Sequence, residues 1–268
     1  MARYELLDDH FSFLISRHDG GDKQKHTKQM KLKYKLTLTE AMLGTKPQNK
    51  EVFASFVASK APDDDKRKEE LETAEHKEEA GTTGFTRLKR SDLLARGVTS
   101  IPKDGDPNEK FVCLEDYMIR GFFKSACGAL RISDDTLSKS ITAYKSKIDQ
   151  IIFVFPRFIP VIQLPIAADM ELPPKIIRSE SGVLLCERSL RAETAMGPRV
   201  TVVRSEVVLA GATFEFTITC LSKKIGKGDD AVDAEALIEE WLGYGQMSGF
   251  GQWRNASYGR FTYERMDE

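Results

Sequence analysis

Near its C-terminus the chain reads Gly249-Phe-Gly-Gln-Trp-Arg-Asn-Ala-Ser-Tyr-Gly-Arg-Phe-Thr-Tyr263. Glycines at this density let a backbone take positive φ and let a second backbone come close. Arg254, Asn255 and Arg260 supply donors of the kind that hold a phosphate or tie a tight strand crossing. More cations lie upstream. Arg188, Arg191 and Arg199 fall in or beside a polar excursion that also carries the flexible Met196, and Lys124 and Arg131 sit off the apolar stripe of a helix. General acid–base chemistry asks for a residue such as histidine among these groups. The four histidines are His10, His18, His26 and His76, and none falls in the cationic stretches.

The elements that must position these residues are legible from periodicity. Lys31 to Leu38 alternates strictly, with Leu32, Tyr34, Leu36 and Leu38 on one face and Lys31, Lys33 and Lys35 on the other, a half-buried strand with a basic outer surface. It ends in a turn at Gly44. From Asp116 to Arg131, Ile119, Phe122, Phe123, Ala126, Cys127 and Leu130 recur at three- and four-residue spacing and predict a core helix. A second helix is predicted over 136–150, followed by the apolar strand 151–155. Pro156, Pro160 and Pro165 then demote 161–164 to an edge strand at best. Short strands follow at 182–185 and 200–203, separated by the excursion 187–198, and an alternating strand runs over 214–220. Asp229 and Asp230 suit the start of a helix reaching about Tyr244, with Trp241 on its apolar side. The chain closes through the glycine-rich loop into a strand with Phe261 and Tyr263 pointing inward.

Between these elements, residues 46–110 read as an insertion whose mixed-charge run, Asp63 to Glu79, is a solvated segment with no assigned chemistry. Residues 1–30 read as an N-terminal extension. Its histidines and aspartates lack ligand spacing on a regular element, so solvated polar residues are the favoured reading over a metal site.

At 268 residues with 41% hydrophobic and 30% charged content, the chain can build one large domain or two small ones. A net charge of −1 supplies no global field toward nucleic acid, so any such site must be a local patch. No apolar run reaches the roughly 18 residues of a membrane span. Cys113, Cys127, Cys186 and Cys220 are scattered in apolar segments without a paired motif, which points to reduced core thiols and a cytoplasmic location. No cofactor or metal is expected.

The order of strands and helices suits an α+β sandwich of the ferredoxin-like or RNA-recognition type, with helices on one sheet face and the other face open. The lysines of the 31–38 strand, the arginine excursion and the glycine loop are expected to share that open face.

Four stretches resemble the RAMP superfamily of CRISPR effector subunits, in particular the backbone subunits that polymerise along guide RNA. Tyr34 to Gly44 is similar to their opening strand and glycine turn, and Ile119 to Arg131 to their first helix. Arg188 to Phe216, with Val207-Val-Leu-Ala-Gly-Ala-Thr-Phe214, resembles their arginine-bearing hairpin and strand entry, and Gly249 to Phe261 their glycine-rich loop. The likeness covers about 31–45 and 115–265 and extends to phage-encoded relatives. It implies a single RAMP-like domain over 31–268 with a thumb-like hairpin. The sequence departs from the pattern at Phe122, in the diluted glycine loop, and at Thr45-Lys-Pro, where target-cleaving members carry an acidic residue.

The resemblance implies a non-catalytic subunit that binds single-stranded guide RNA, self-associates along it and meets other effector-complex subunits, with no membrane. Lys124, Arg131, Arg188, Arg191, Arg199, Arg254 and Arg260 would then neutralise phosphates, with Asn255 among them. Main-chain amides from Gly249 to Gly251 would approach the strand, Trp253 and Tyr258 would stack on bases, and Met196 would wedge between them. Two alternatives stand beside it. One is a guide-RNA-processing endoribonuclease of the same superfamily, which would need a histidine folded back from the N-terminal stretch. The other is a phage structural or interaction protein that kept the fold and lost the ligand.

Overall fold

The computed structural model describes residues 29–47, 82–163, 170–194, 197–226 and 231–266. The alternation at 31–38 forms the central strand β1 (Met30–Leu38), with Leu32, Tyr34, Leu36 and Leu38 buried and the lysines outward. In chain order there follow β2 (Met42–Leu43), β3 (Lys46–Pro47), β4 (Thr82–Gly84), β5 (Thr86–Lys89), α1 (Arg90–Ala95), β6 (Lys110–Glu115), α2 (Asp116–Leu130) and α3 (Tyr144–Ile151). The second half holds β7 (Ile152–Phe155), β8 (Phe158–Ile162), β9 (Ile176–Arg178), β10 (Leu184–Thr194), β11 (Gly197–Val208), β12 (Thr213–Cys220), β13 (Lys224–Ile225), β14 (Val232–Asp233), α4 (Ala234–Ser248) and β15 (Phe261–Met266).

The nucleus is β1–α2–β7–β12–α4–β15. Its strands lie in the order β15-β1-β12-β7, every neighbouring pair antiparallel. With each helix crossing between two strands, that is the ferredoxin-like α+β arrangement. The sheet continues beyond β12 through β8 and β6 to β5. Helices α2 and α4 cover one face because their apolar stripes match the buried side of β1. Phe123 and the fully buried Trp241 meet with ring centres 5.3 Å apart, and Trp241 donates its indole N–H to Ser138 Oγ at 2.9 Å. That bond meets the need of a polar group carried inside by a large apolar one. Asp233 caps α4 by accepting from the Ala236 N–H at 3.0 Å.

A second sheet, β3-β4-β11-β10-β9 with β2 also on β11, grows from the end of the first. Its spine is the long β10–β11 hairpin, paired without interruption from Leu185–Glu206 to Thr194–Gly197. A small core of Leu43, Ile176, Leu184, Cys186, Val207 and Leu209 holds its root. Buried Glu206 ties that root down. Its carboxylate accepts from the Phe85 N–H at 3.0 Å and pairs with Arg87, and its carbonyl accepts from the Gly44 N–H at 2.8 Å.

Several elements differ from the sequence reading. The predicted helix over 136–150 is a 3-10 turn (Leu137–Ser140) and then α3, interrupted at Ala143, whose φ is 49°. Strand β8 lies inside the sheet, between β6 and β12, despite Pro160. Pairing with β12 begins only at Val161, so the missing proline N–H breaks no ladder bond there. The excursion at 187–198 is the continuous hairpin itself. Within 46–110, β4 joins the second sheet and β5 the first, over a satellite core of Leu93, Val98, Ile101 and Cys113. Among the described residues no helix is long and apolar enough to cross a membrane.

Candidate nucleic-acid interface

The glycine-rich segment folds as a crossing between the end of α4 and β15. Gly249, Gly251 and Gly259 have φ of 79°, 89° and 74°. A side chain on Gly249 would collide with the Tyr258 carbonyl, and one on Gly259 with that of Phe250. Two of the amides expected to face a ligand are used in making this crossing. The Gly249 N–H donates to Gly245 O and the Phe250 N–H to Gly259 O, each at 2.8 Å. Phe250 turns into the core against Phe122 and Phe214, at ring distances of 5.9 and 6.2 Å. The loop therefore lies at the helix-covered end of the sheet, and the expectation that it shares the open face with the β1 lysines is corrected. The open face keeps Lys33 and Lys35, paired to Glu215 at 3.1 Å and Glu264 at 3.3 Å.

What the loop does present is an aromatic pair at the hairpin root. Trp253 and Tyr258 stack on each other with centres 5.1 Å apart and planes 15° from parallel, packed on the small core of the second sheet. Two cations lie over the indole, Arg188 from β10 at 5.3 Å and Lys175 from the turn before β9 at 5.4 Å. Arg188 also donates to Gln252 Oε1, and Arg254 donates to Ser125 Oγ on α2 at 3.0 Å. The Tyr258 hydroxyl lies 3.6 Å from Cys186 Sγ, and burial pushes its pKa up to about 12, so it stays a neutral donor.

Trp253, Ser257 and Lys175 hold φ of 57°, 69° and 71°, conformations that cost L-residues of order 1–3 kcal/mol each and that gather where a surface is shaped for a ligand. Among the described residues the buried Nε–H groups of Arg188 and Arg260 have no acceptor, and neither do those of Arg120 and Arg131 on or beside α2. Around the indole no carboxylate pairs with Arg188 or Lys175 among the described residues. Fixed cations without carboxylates and donors without acceptors are what an anion would satisfy.

The remaining candidates divide. The pleat puts backbone positions 188, 192 and 199 on one face of the hairpin and 191 on the other, because Arg188 pairs with Val203 and Ala192 with Arg199. Met196 lies outside the described residues. Asn255 is exposed on the 3-10 turn Arg254–Ala256. Arg260 leads into β15, its carbonyl accepting from the N–H groups of Thr39 at 2.9 Å and Glu40 at 3.2 Å. Lys124 and Arg131 are engaged elsewhere, Lys124 with Asp149 at 2.7 Å and Arg131 over the Tyr144 ring at 5.2 Å. They face α3 and not the indole. The stacking role expected of Trp253 also changes, since one ring face is spent on Tyr258 and cations lie over the indole. Lys175 escaped the sequence reading because a single lysine after Pro173 and Pro174 carries no spacing signal. All four histidines fall outside the described residues.

No family model matches the chain, and no curated protein is similar to it. Among solved structures the fold is similar to a chain described as "Type IV-B CRISPR Complex", at 12% identity over 88% of this chain and 90% of that one, with a TM-score of 0.37. Likeness at that level says nothing of what this chain binds.

Proposed function

We propose that the chain is a non-catalytic subunit that binds single-stranded RNA and self-associates along it in a CRISPR-type ribonucleoprotein. The observation that carries the binding half is the indole of Trp253 holding Arg188 and Lys175 over it at the hairpin root, with Arg254 close by in sequence. Such a group recognises phosphate without reading bases, and a hairpin beside it gives a strand an edge to follow. The reading of a guide-RNA subunit, and of assembly along the strand, is supported by the order of the four RAMP-like stretches.

Filter binding of a labelled single-stranded RNA across a salt series tests it. A logarithmic loss of affinity with salt, with slope near −0.7 per neutralised phosphate, is the expected result. Light scattering should show particle mass rising with RNA length. Absence of binding at low salt would overturn the reading, and a cleaved product would favour the nuclease alternative.

A further inference from the structure

On the opposite side of the main sheet the 96–100 turn overhangs a cleft of about 340 Å³. Its walls include Lys33, Phe155 and Thr217 from the sheet, Arg157 from the β7–β8 link, and Arg96 with Ser100 from the overhang. The size falls at the small end of ligand-binding clefts. Register explains its chemistry. Thr217 pairs with Phe155 and Thr219 with Phe153, so two aromatic rings share the outward face with hydroxyl-bearing neighbours. Both rings are exposed, Phe155 at 53% and Phe153 at 37%, although a phenyl group on a sheet surface gains nothing from water.

Charge is placed beside them. The guanidinium carbons of Arg96 and Arg157 lie 5.2 and 5.3 Å from the centre of the Phe158 ring, so the two cations can be no further apart than the sum of those distances. That is about a Debye length at 0.1 M salt, close enough for them to repel. Glu215 is the cleft's one carboxylate among the described residues, and it is taken by Lys33 at 3.1 Å. Neither Arg96 nor Arg157 has an acidic partner among the described residues. Two cations fixed on an aromatic ring, a flat exposed phenyl and three hydroxyls, of Thr99, Ser100 and Thr217, together match a phosphorylated ligand with a planar apolar part.

We propose that this cleft is a second binding site, distinct from the hairpin root, that takes one nucleotide unit with its base against Phe155 and its phosphate between Arg96 and Arg157. The unit can come from a free mononucleotide or from a single strand, and the two sources share this chemistry. Calorimetric titration of the full chain with AMP and with an eight-residue oligoadenylate separates them. AMP binding identifies a free nucleotide as the source, and an oligomer that shifts the Gly97, Thr99, Ser100 and Thr217 amides when AMP does not identifies a strand.

Three variants then assign the site. Phe155→Leu keeps the surface apolar but removes the ring, and should weaken the bound probe about fivefold or more. Arg96→Ala with Arg157→Ala should abolish the binding measured at this site. Arg188→Ala with Trp253→Leu, at the hairpin root, should leave AMP binding unchanged, so failure here is separable from failure of the RNA-binding proposal. Melting curves check that each variant folds, and amide shifts of Gly97, Thr99, Ser100 and Thr217 report occupancy directly. The proposal is overturned if neither probe moves those amides, or if the arginine and phenylalanine variants titrate like the wild type.

Discussion

The two sheets of this protein handle charge in opposite ways. Along β1 of the main sheet Lys33 lies beside Glu215 and Lys35 beside Glu264 on neighbouring strands, so these two charges are neutralised in place, while Arg96 and Arg157 line the cleft at the edge of that face. At the root of the second sheet Arg188 and Lys175 lie on an indole instead. The burial differs too. The main sheet presses a continuous layer from Leu32 to Phe261 against two helices, whereas the second relies on a core of six buried residues. The contrast teaches that an overall charge near zero conceals local excess, and that the excess lies where the hydrophobic layer is thinnest. The main sheet supplies most of the buried core, and the root of the second holds its cations on an aromatic ring.

Mutations can break that division or sharpen it. The largest effect is predicted for Trp241→Ala, which opens a cavity between α4 and α2 and leaves Ser138 without its indole donor. A loss of about 3–5 kcal/mol is expected from urea unfolding, with RNA affinity unchanged for the fraction that remains folded. Affinity falling in step with a normal melting temperature would break the division. Arg188→Ala is predicted to do the reverse. Its melting curve should stay within about 1 kcal/mol of the wild type, while the salt slope of RNA binding drops by about 0.7 if one phosphate contact is lost. An unaltered slope would remove Arg188 from the interface.

A pH scan probes the main core through Cys220 and the satellite core through Cys113. Burial raises the thiols of Cys113 and Cys220 from 9.0 to about 11 and about 12. The unfolded chain therefore sheds these protons first, and folded-state stability should decline as pH rises from about 9 toward 11–12. Denaturant midpoints measured from pH 8 to 11 check this, and Cys113→Ala with Cys220→Ala should flatten the dependence. The smallest effect is expected at Tyr34, whose fully buried hydroxyl has no hydrogen-bond partner among the described residues. Tyr34→Phe removes an unsatisfied group and should be neutral or stabilising by up to about 1 kcal/mol. A clear loss would mean that the hydroxyl is satisfied in solution.

Much of the main sheet was legible in the sequence because its signals are periodic. The alternation at 31–38 and the stripe from Ile119 to Leu130 each fix a buried face, and those faces leave few ways to stack. The candidate site was legible only in part. Residue type drew attention to Arg188 and Trp253, which do meet, and to Arg254, which adjoins Trp253 in sequence and bonds to Ser125 on α2. The same reasoning brought in Lys124, which an ion pair with Asp149 holds toward α3. Side-chain pairing is a tertiary property with no period, so the sequence could not separate an arginine on an indole from a lysine on an aspartate. Periodicity alone gave 187–198 as a polar excursion, and the hairpin entered through the family resemblance, because charged residues in both strands of the ribbon leave no apolar alternation to detect.

The buried carboxylate of Glu206 has a mechanical consequence. From the Leu185–Glu206 pair to Thr194 the ribbon advances nine residues, on the order of 30 Å at strand rise. It is a lever whose fulcrum is that single residue, its side chain clamped by the Phe85 amide and Arg87 and its carbonyl by the Gly44 amide. Any tilt permitted at the clamp is magnified at the far tip, so stiffness at one internal acid decides how steadily the whole arm is aimed.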